Sequence, residues 1–258
     1  MSQRFVLFAD MLGFAPLVMK NAESVHLLSP RLGTPSKEER EAVKAGDRLV
    51  LHFRGFHEAV SDQIKEHLRR DSKAIIFSDS VFLTLYRLPD IMAFARGLMW
   101  RLLTNRIPSR IAVAQGSFST LRYASDIAGE AAVYSTQFLG TGVVRAYQAE
   151  RAIKGIAISI DESVRPFADE LAAGEVLPLP AQQGSVYAIG NLLFDETDNT
   201  SEARKKRLRT ARRALHAMRT ASDQNFHGYY DFALNALDQM RGFGVGGDIR
   251  IRRPRGSG

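Results

Sequence analysis

Two apolar, β-prone runs, AIIF (74–77) and VFLTLY (81–86), are separated only by Ser78, Asp79 and Ser80. A connection that short joins its strands as an antiparallel hairpin. Asp and Ser are good turn formers, so turn chemistry alone accounts for a carboxylate at the tip. Whether Asp79 does more depends on what else the chain brings to that end of the sheet.

Phe5–Phe8 reads as a short apolar strand ending in Ala9-Asp10, followed by MLGF. Residues 21–47 are polar and hold Pro30, Pro35, Gly33 and Gly46, which predicts a loop with one helical piece at SKEEREAVKAG. From Leu49 to Leu68 the apolar positions recur every three to four residues, as in an amphipathic helix. The hairpin follows, then a helix from Pro89 to Asn105 that must close before Pro108. RIAVAQGSF (110–118) predicts a strand, and the segment around QFLGTGVVRAYQAE predicts an extended run that turns at Gly140 and Gly142 into a helix reaching Lys154. IAISID and SVYAIGNLLF add two strands. This order lacks a long βαβ alternation and predicts an α+β domain, an antiparallel sheet with covering helices on one face. The division expected is 1–195 as the main domain and 196–258 as a basic C-terminal helical extension and tail. Its helices carry apolar stripes, Leu208, Ala211, Leu215 and Met218 on one and Phe226, Tyr230, Ala233, Leu237 and Met240 on the other, which must bury each other or dock on the main domain.

Of the net charge of +7, the C-terminal segment supplies all. Ser201–Gly258 has 13 Lys/Arg against 5 Asp/Glu, leaving 22 against 23 over residues 1–200. That weakens the case for the main domain as a nucleic-acid reader, and the basic run at 204–219 reads as the solvated face of a docked helix. With no cysteine there are no disulfides, Cys-ligated metals or thiol nucleophile. The N-terminus lacks a secretion-signal pattern and no window is apolar enough to span a bilayer, so the expectation is a cytoplasmic protein without direct membrane contact.

Asp10 ends one apolar strand and Asp79 sits at the tip of a hairpin. If those strands are neighbours, both carboxylates face one end of the sheet, which is the ligand set that a pair of divalent cations requires. Asp10 could alternatively cap the turn at 11–14. Gly13, directly after the strand-end acid, would let the amides of Leu12, Gly13 and Phe14 approach an anion without Cβ interference. Metal acids beside backbone amides suggest a polyphosphate ligand.

At this point FVLFADMLGF resembles the first-strand motif of the class III nucleotidyl cyclases, IIFSDSVFL resembles their metal-binding hairpin, and QFLGTGVVRAYQAE resembles their later Gly turn and helix. The likeness covers about residues 4–160 in order and spacing. It implies the ferredoxin-like class III fold and two Mn²⁺ or Mg²⁺ ions held by Asp10, Asp79 and the Met11 carbonyl. It also implies a head-to-tail homodimer whose sites lie at the interface, with the helix after Gly142 supplied by the partner chain. The departures concern the base. Ser78 stands where a Gly usually precedes the second acid, and Ile75 where purine cyclases have Lys. Gln137 replaces their base-reading Asp, and Val144 and Gln148 replace the helix Asn and Arg. FSDS and AYQAE resemble instead the bacterial Pycsar pyrimidine cyclases of anti-phage defence, which implies UTP or CTP as substrate, UTP favoured, and a separate effector protein that responds to the cyclic product. Gln137 could pair with either pyrimidine, or be an ordinary strand-end polar residue. Arg145 is the candidate for stabilising charge on the transferring phosphoryl group, with Arg110 and Tyr147 as alternatives and Ser78 beside the substrate. Two further readings stand beside the enzyme: a catalytically inactive cyclase-like nucleotide-sensing or dimerisation module, and a purine cyclase.

Overall fold

The computed structural model describes residues 2–28, 35–67, 72–125, 133–170, 176–178, 187–189 and 201–240. Strand β1 (Ser2–Met11) lies at the centre, antiparallel to β3 (Ser80–Leu85) on one side and to β4 (Ser109–Ser125) on the other. β2 (Lys73–Ile76) continues the sheet beyond β3. Beyond β4 come β6 (Ile158–Ile160, parallel to β4), then β8 (Tyr187–Ile189) and β7 (Val176–Pro178), while β5 (Val133–Leu139) pairs with the distal half of β4. The hairpin is tighter than its sequence suggests. The Phe77 amide donates to the Ser80 carbonyl at 2.7 Å, so only Ser78 and Asp79 lie in the connection.

The helices are α1 (Phe14–Lys20), α2 (Lys37–Ala45), α3 (Arg48–His67), α4 (Leu88–Thr104), α5 (Thr141–Ala152), α6 (Ser201–Ala221) and α7 (His227–Met240). The fold is α+β as expected, but its helices do not share one face. Phe5, Leu7, Ala9 and Met11 of β1 pack with residues of α3, α4, α6 and α7, whereas Val6 and Phe8 pack with Ala146 of α5 on the opposite side. The run FVLFA is buried at every position because both of its faces are covered. A 3₁₀ turn at Ala22–Leu27 occupies part of the expected loop, and α1 precedes it where no helix was expected. α6 and α7 meet both alternatives open to their stripes. Arg212 pairs with Asp238 at 2.6 Å and Arg219 with Asp231 at 2.7 Å between the two helices, while Ala211, Leu215, Tyr230 and Leu237 join the core beneath the sheet.

α5 approaches β4 so closely that backbone meets backbone. A Cβ on Gly116 would overlap the amide of Gly142, and one on Gly140 would overlap the Ser117 carbonyl. Gly140 also has φ 148°, a conformation that side chains strain to adopt. Thr141 Oγ1 accepts from the Ser117 amide at 3.0 Å and fixes the junction. Gly140→Ala should therefore cost about 2–3 kcal/mol of stability from backbone strain and overpacking, read as a lower denaturant midpoint at unchanged m-value.

Candidate active site

Register builds the site. Asp10 lies opposite Ser80 on β3 and opposite Arg110 on β4. The Met11 amide donates to the Asp79 carbonyl at 2.9 Å, so the strand end and the hairpin tip are joined by backbone. Asp10, Met11 and Asp79 thus come together in one chain, with Ser78 Oγ 3.1 Å from Asp79 Oδ1. The next residues turn sharply. Gly13 takes φ 74° at the start of α1, with open space where a Cβ would sit, so the backbone conformation demands the glycine there. Leu12 departs from the anion-cradle expectation, because its amide donates to the Pro108 carbonyl at 2.8 Å. Phe14 anchors the turn by packing on Phe53 of α3, ring centroids 6.1 Å apart.

Charge at the site is unbalanced. Arg110 Nη2 is 3.6 Å from Asp10 Oδ2, but its Nε pairs with Glu150 at the end of α5. One guanidinium thus serves two carboxylates, and Asp79 adds a third negative group. Burial, and then Asp79, push the Asp10 carboxyl up to about 6 against the pull of Arg110. Burial pushes Glu150, only 2% exposed, up to about 7, again against Arg110. A site short of positive charge, with two facing acids and a nearby backbone carbonyl, suits a hard divalent cation. No third His, Cys, Asp or Glu joins the acids as a metal-binding cluster among the described residues, so other oxygen donors would have to complete the shell.

His57 was not foreseen. It sits within the apolar pattern of α3, flanked by Phe53 (ring centroids 4.4 Å) and Phe56 (5.7 Å). Its Nε2 lies 3.0 Å from the Ser78 carbonyl. A carbonyl only accepts, so Nε2 carries the proton, and burial holds the ring below its usual pKa and neutral. Phe14, Phe53, His57 and Ser78 form one continuous brace from the Gly13 turn to the tip that carries Asp79. The only signal in the sequence was a polar residue among the apolar positions of a helix.

The remaining candidates are not gathered around Asp10 within the chain. Arg145 Nη1 donates to the Gln115 carbonyl at 3.0 Å. Gln115 lies opposite Phe5, roughly 17 Å along the strand from the Asp10 pair. Gln137 lies on β5 opposite Leu121, at the far end of β4. Tyr147 packs on Phe8, ring centroids 5.7 Å apart, and accepts from Arg151 at 3.1 Å. Arg110, the secondary candidate, is the arginine that this chain sets beside Asp10.

No protein-family model and no curated protein matches the chain. Solved structures do. A bacterial light-regulated adenylyl cyclase superposes with TM-score 0.51 at 13% identity over 81% of this chain, which spans 57% of that structure's chain. The guanylyl cyclase Cya2 gives 0.49 at 14% over 78% of this chain and 96% of its own. The adenylyl cyclase CyaB from P. aeruginosa gives 0.46 at 12%, over 72% and 93%. The chain has the fold of a class III nucleotidyl cyclase catalytic domain.

Two predictions follow from the geometry. Because folding raises the Glu150 pKa, its protonated form contributes stability that is complete below about pH 4 and is lost as pH rises through about 7. The difference in melting temperature between wild type and Glu150→Gln, without metal, should therefore shrink or reverse across that interval. His52 and His57 have the opposite sign, since their depressed pKa values cost stability below about pH 6.5, and a paired comparison cancels them. His57→Phe keeps the packing but leaves the Ser78 carbonyl without its donor. It should cost about 1–3 kcal/mol and speed hydrogen exchange at Phe77 and Met11 before exchange in the α4 core.

Proposed function

We propose that the chain is a nucleotidyl cyclase that converts a pyrimidine nucleoside triphosphate, UTP before CTP, to its 3′,5′-cyclic monophosphate and pyrophosphate. The observation that carries the reading is the meeting of Asp10 and Asp79 at one end of the sheet, joined through Met11, in a cyclase fold. The ribose 3′-oxygen bonds to the α-phosphorus, the bond from that phosphorus to the β-phosphate bridging oxygen breaks, pyrophosphate leaves, and the hydroxyl proton passes to solvent. Asp10, Asp79 and the Met11 carbonyl would hold two Mn²⁺ or Mg²⁺ ions. Such ions, when bound, acidify the 3′-hydroxyl and neutralise the triphosphate. The chain's own part is to aim the two acids, to hold Arg110 beside them, and to bend the backbone at Gly13 so that the Gly13 and Phe14 amides face the phosphates.

Ile75, Gln137, Val144 and Gln148, standing where the resemblance expects purine- and ribose-reading groups, support pyrimidine use. An exposed apolar group supports a dimer. Phe77 (42% exposed), Val144 (53%) and Tyr147 (43%) are uncovered around the hairpin and α5, and Arg145 and Gln137 lie away from the acids of their own chain. A second chain placed head to tail would bring them to its partner's Asp10 and Asp79. We keep 1–195 as the catalytic unit and 196–258 as an extension, and the resemblance to Pycsar cyclases supports a messenger role in anti-phage defence read by a separate effector. One observation favours an inactive sensor module instead: Val144 and Gln148 stand where the resemblance expects the helix Asn and Arg.

The deciding experiment incubates the protein with Mn²⁺ and each of ATP, GTP, CTP and UTP, with products identified by mass spectrometry. A cyclic pyrimidine monophosphate is expected. Asp79→Ala should lower its formation by more than about a hundredfold while shifting stability by less than about 1 kcal/mol, since the residue is a half-exposed turn acid. A purine product would overturn the base assignment, and an active Asp79→Ala would overturn the metal assignment. No product from any nucleotide would favour the sensor module.

A further inference from the structure

Against the Gly13 turn lies a cavity of about 380 Å³ that Asp79 does not line. Its walls come from three places: Leu12, Gly13 and α1; the start of α3 with the residues just before β4; and the junction of α6 and α7. We propose that this cavity is a second binding site, for a small organic anion with an aromatic or aliphatic body, and that its occupancy acts on the metal-binding end of the sheet.

The class of ligand follows from the lining. Lys20, Arg48 and Arg106 border the cavity, none of them in an ion pair among the described residues, against one acid, Asp223. The charge of Arg48 reaches the interior. Desolvation first, and then the Arg48 charge, bring the half-buried His52 to a pKa near 4, and the same charge opposes the rise that burial imposes on the Tyr230 hydroxyl. Among the described residues the one hydrogen-bond partner of Arg48 is the Ala221 carbonyl, at a long 3.5 Å. Arg106, which borders this cavity, stands in the left-handed region, φ 58°, at the position after α4 where glycine is usual. The body of the ligand would meet Met218, Phe226 and Tyr229. Cations around an aromatic wall, in a space of this volume, fit an amphipathic anion. The chain's own tail is a poor occupant, because residues 241–258 carry five Arg and one Asp.

The route to the metal end is short. Leu12 and Pro108 both line the cavity and are joined by the 2.8 Å bond from the Leu12 amide to the Pro108 carbonyl, and Leu12 is two residues from Asp10. This coupling rests on the cyclase reading; the binding does not.

The test uses the full chain and two probes, 8-anilinonaphthalene-1-sulfonate and its uncharged relative N-phenyl-1-naphthylamine, followed by fluorescence. The sulfonate should bind saturably at one site per chain, and Arg48→Glu should weaken it about tenfold or more while leaving the neutral probe unchanged. Glutamate suits the first turn of α3, so this variant should fold, and Lys20→Glu on α1 gives a second reading of the same charge. Equal sulfonate binding by wild type and both variants, or tighter binding of the neutral probe, would overturn the site. Coupling is read separately, from the apparent Mn²⁺ affinity with and without saturating sulfonate. A shift of threefold or more that Arg48→Glu abolishes supports it, and an unchanged affinity overturns it. A protein that binds the probe but turns over no nucleotide would keep the site and discard the catalytic reading.

Discussion

Everything in this molecule hangs on β1 being hydrogen-bonded on both edges and buried on both faces. Its two antiparallel neighbours fix by register what stands beside Asp10, namely Ser80 and Arg110. A slip of one residue would turn Asp10 into the Leu7–Ala9 face and a core residue into the site. The burial of Val6, Leu7 and Phe8 from both sides makes that slip prohibitive. The accuracy of the acid pair is therefore a property of the core, and no loop has to supply it.

The electrostatics extend the same point. Arg110 cannot balance Asp10 fully because it also serves Glu150, which α5 brings down onto the sheet. α5 comes that close because Gly116, Gly142 and Ala146 leave nothing in the way. Small residues far from the acids in sequence thereby decide how much negative charge remains at the site for a cation to meet. The brace from Phe14 to Ser78 adds a second restraint, tying the two acid-bearing segments to α3.

Much of this was legible in the sequence, and the parts that were not share a cause. The hairpin, the long helices and the strand-end acids announce themselves through local periodicity and turn chemistry, which depend on neighbours in the chain. The two-sided cover of the sheet was missed because FVLFA shows no alternation from which to assign faces. α1 was missed because the stretch after Asp10 was read only as a turn at 11–14, whereas Gly13 lies at a helix start and Pro16 within its first turn, where the missing amide hydrogen costs little. His57 and Glu150 act through partners far along the chain, the carbonyl of Ser78 and the guanidinium of Arg110. A backbone carbonyl leaves no mark on composition, so pattern alone gives such a partner no signature. The Leu12 amide illustrates the converse, since a motif-level expectation assigned it to an anion while Pro108 had already taken it.

The backbone bond between Met11 and Asp79 has a consequence for how the protein comes to exist at all. It closes a loop of about seventy residues, an ordering cost of roughly 4 kcal/mol that no local element can offset. The two acids consequently have no shared location until the central sheet has assembled. Formation of the site and passage over the main folding barrier are then one event, slow by the measure of sequence separation. Any ion that requires both carboxylates has nothing to bind in the unfolded chain, so it shifts the folding equilibrium by mass action with its full affinity.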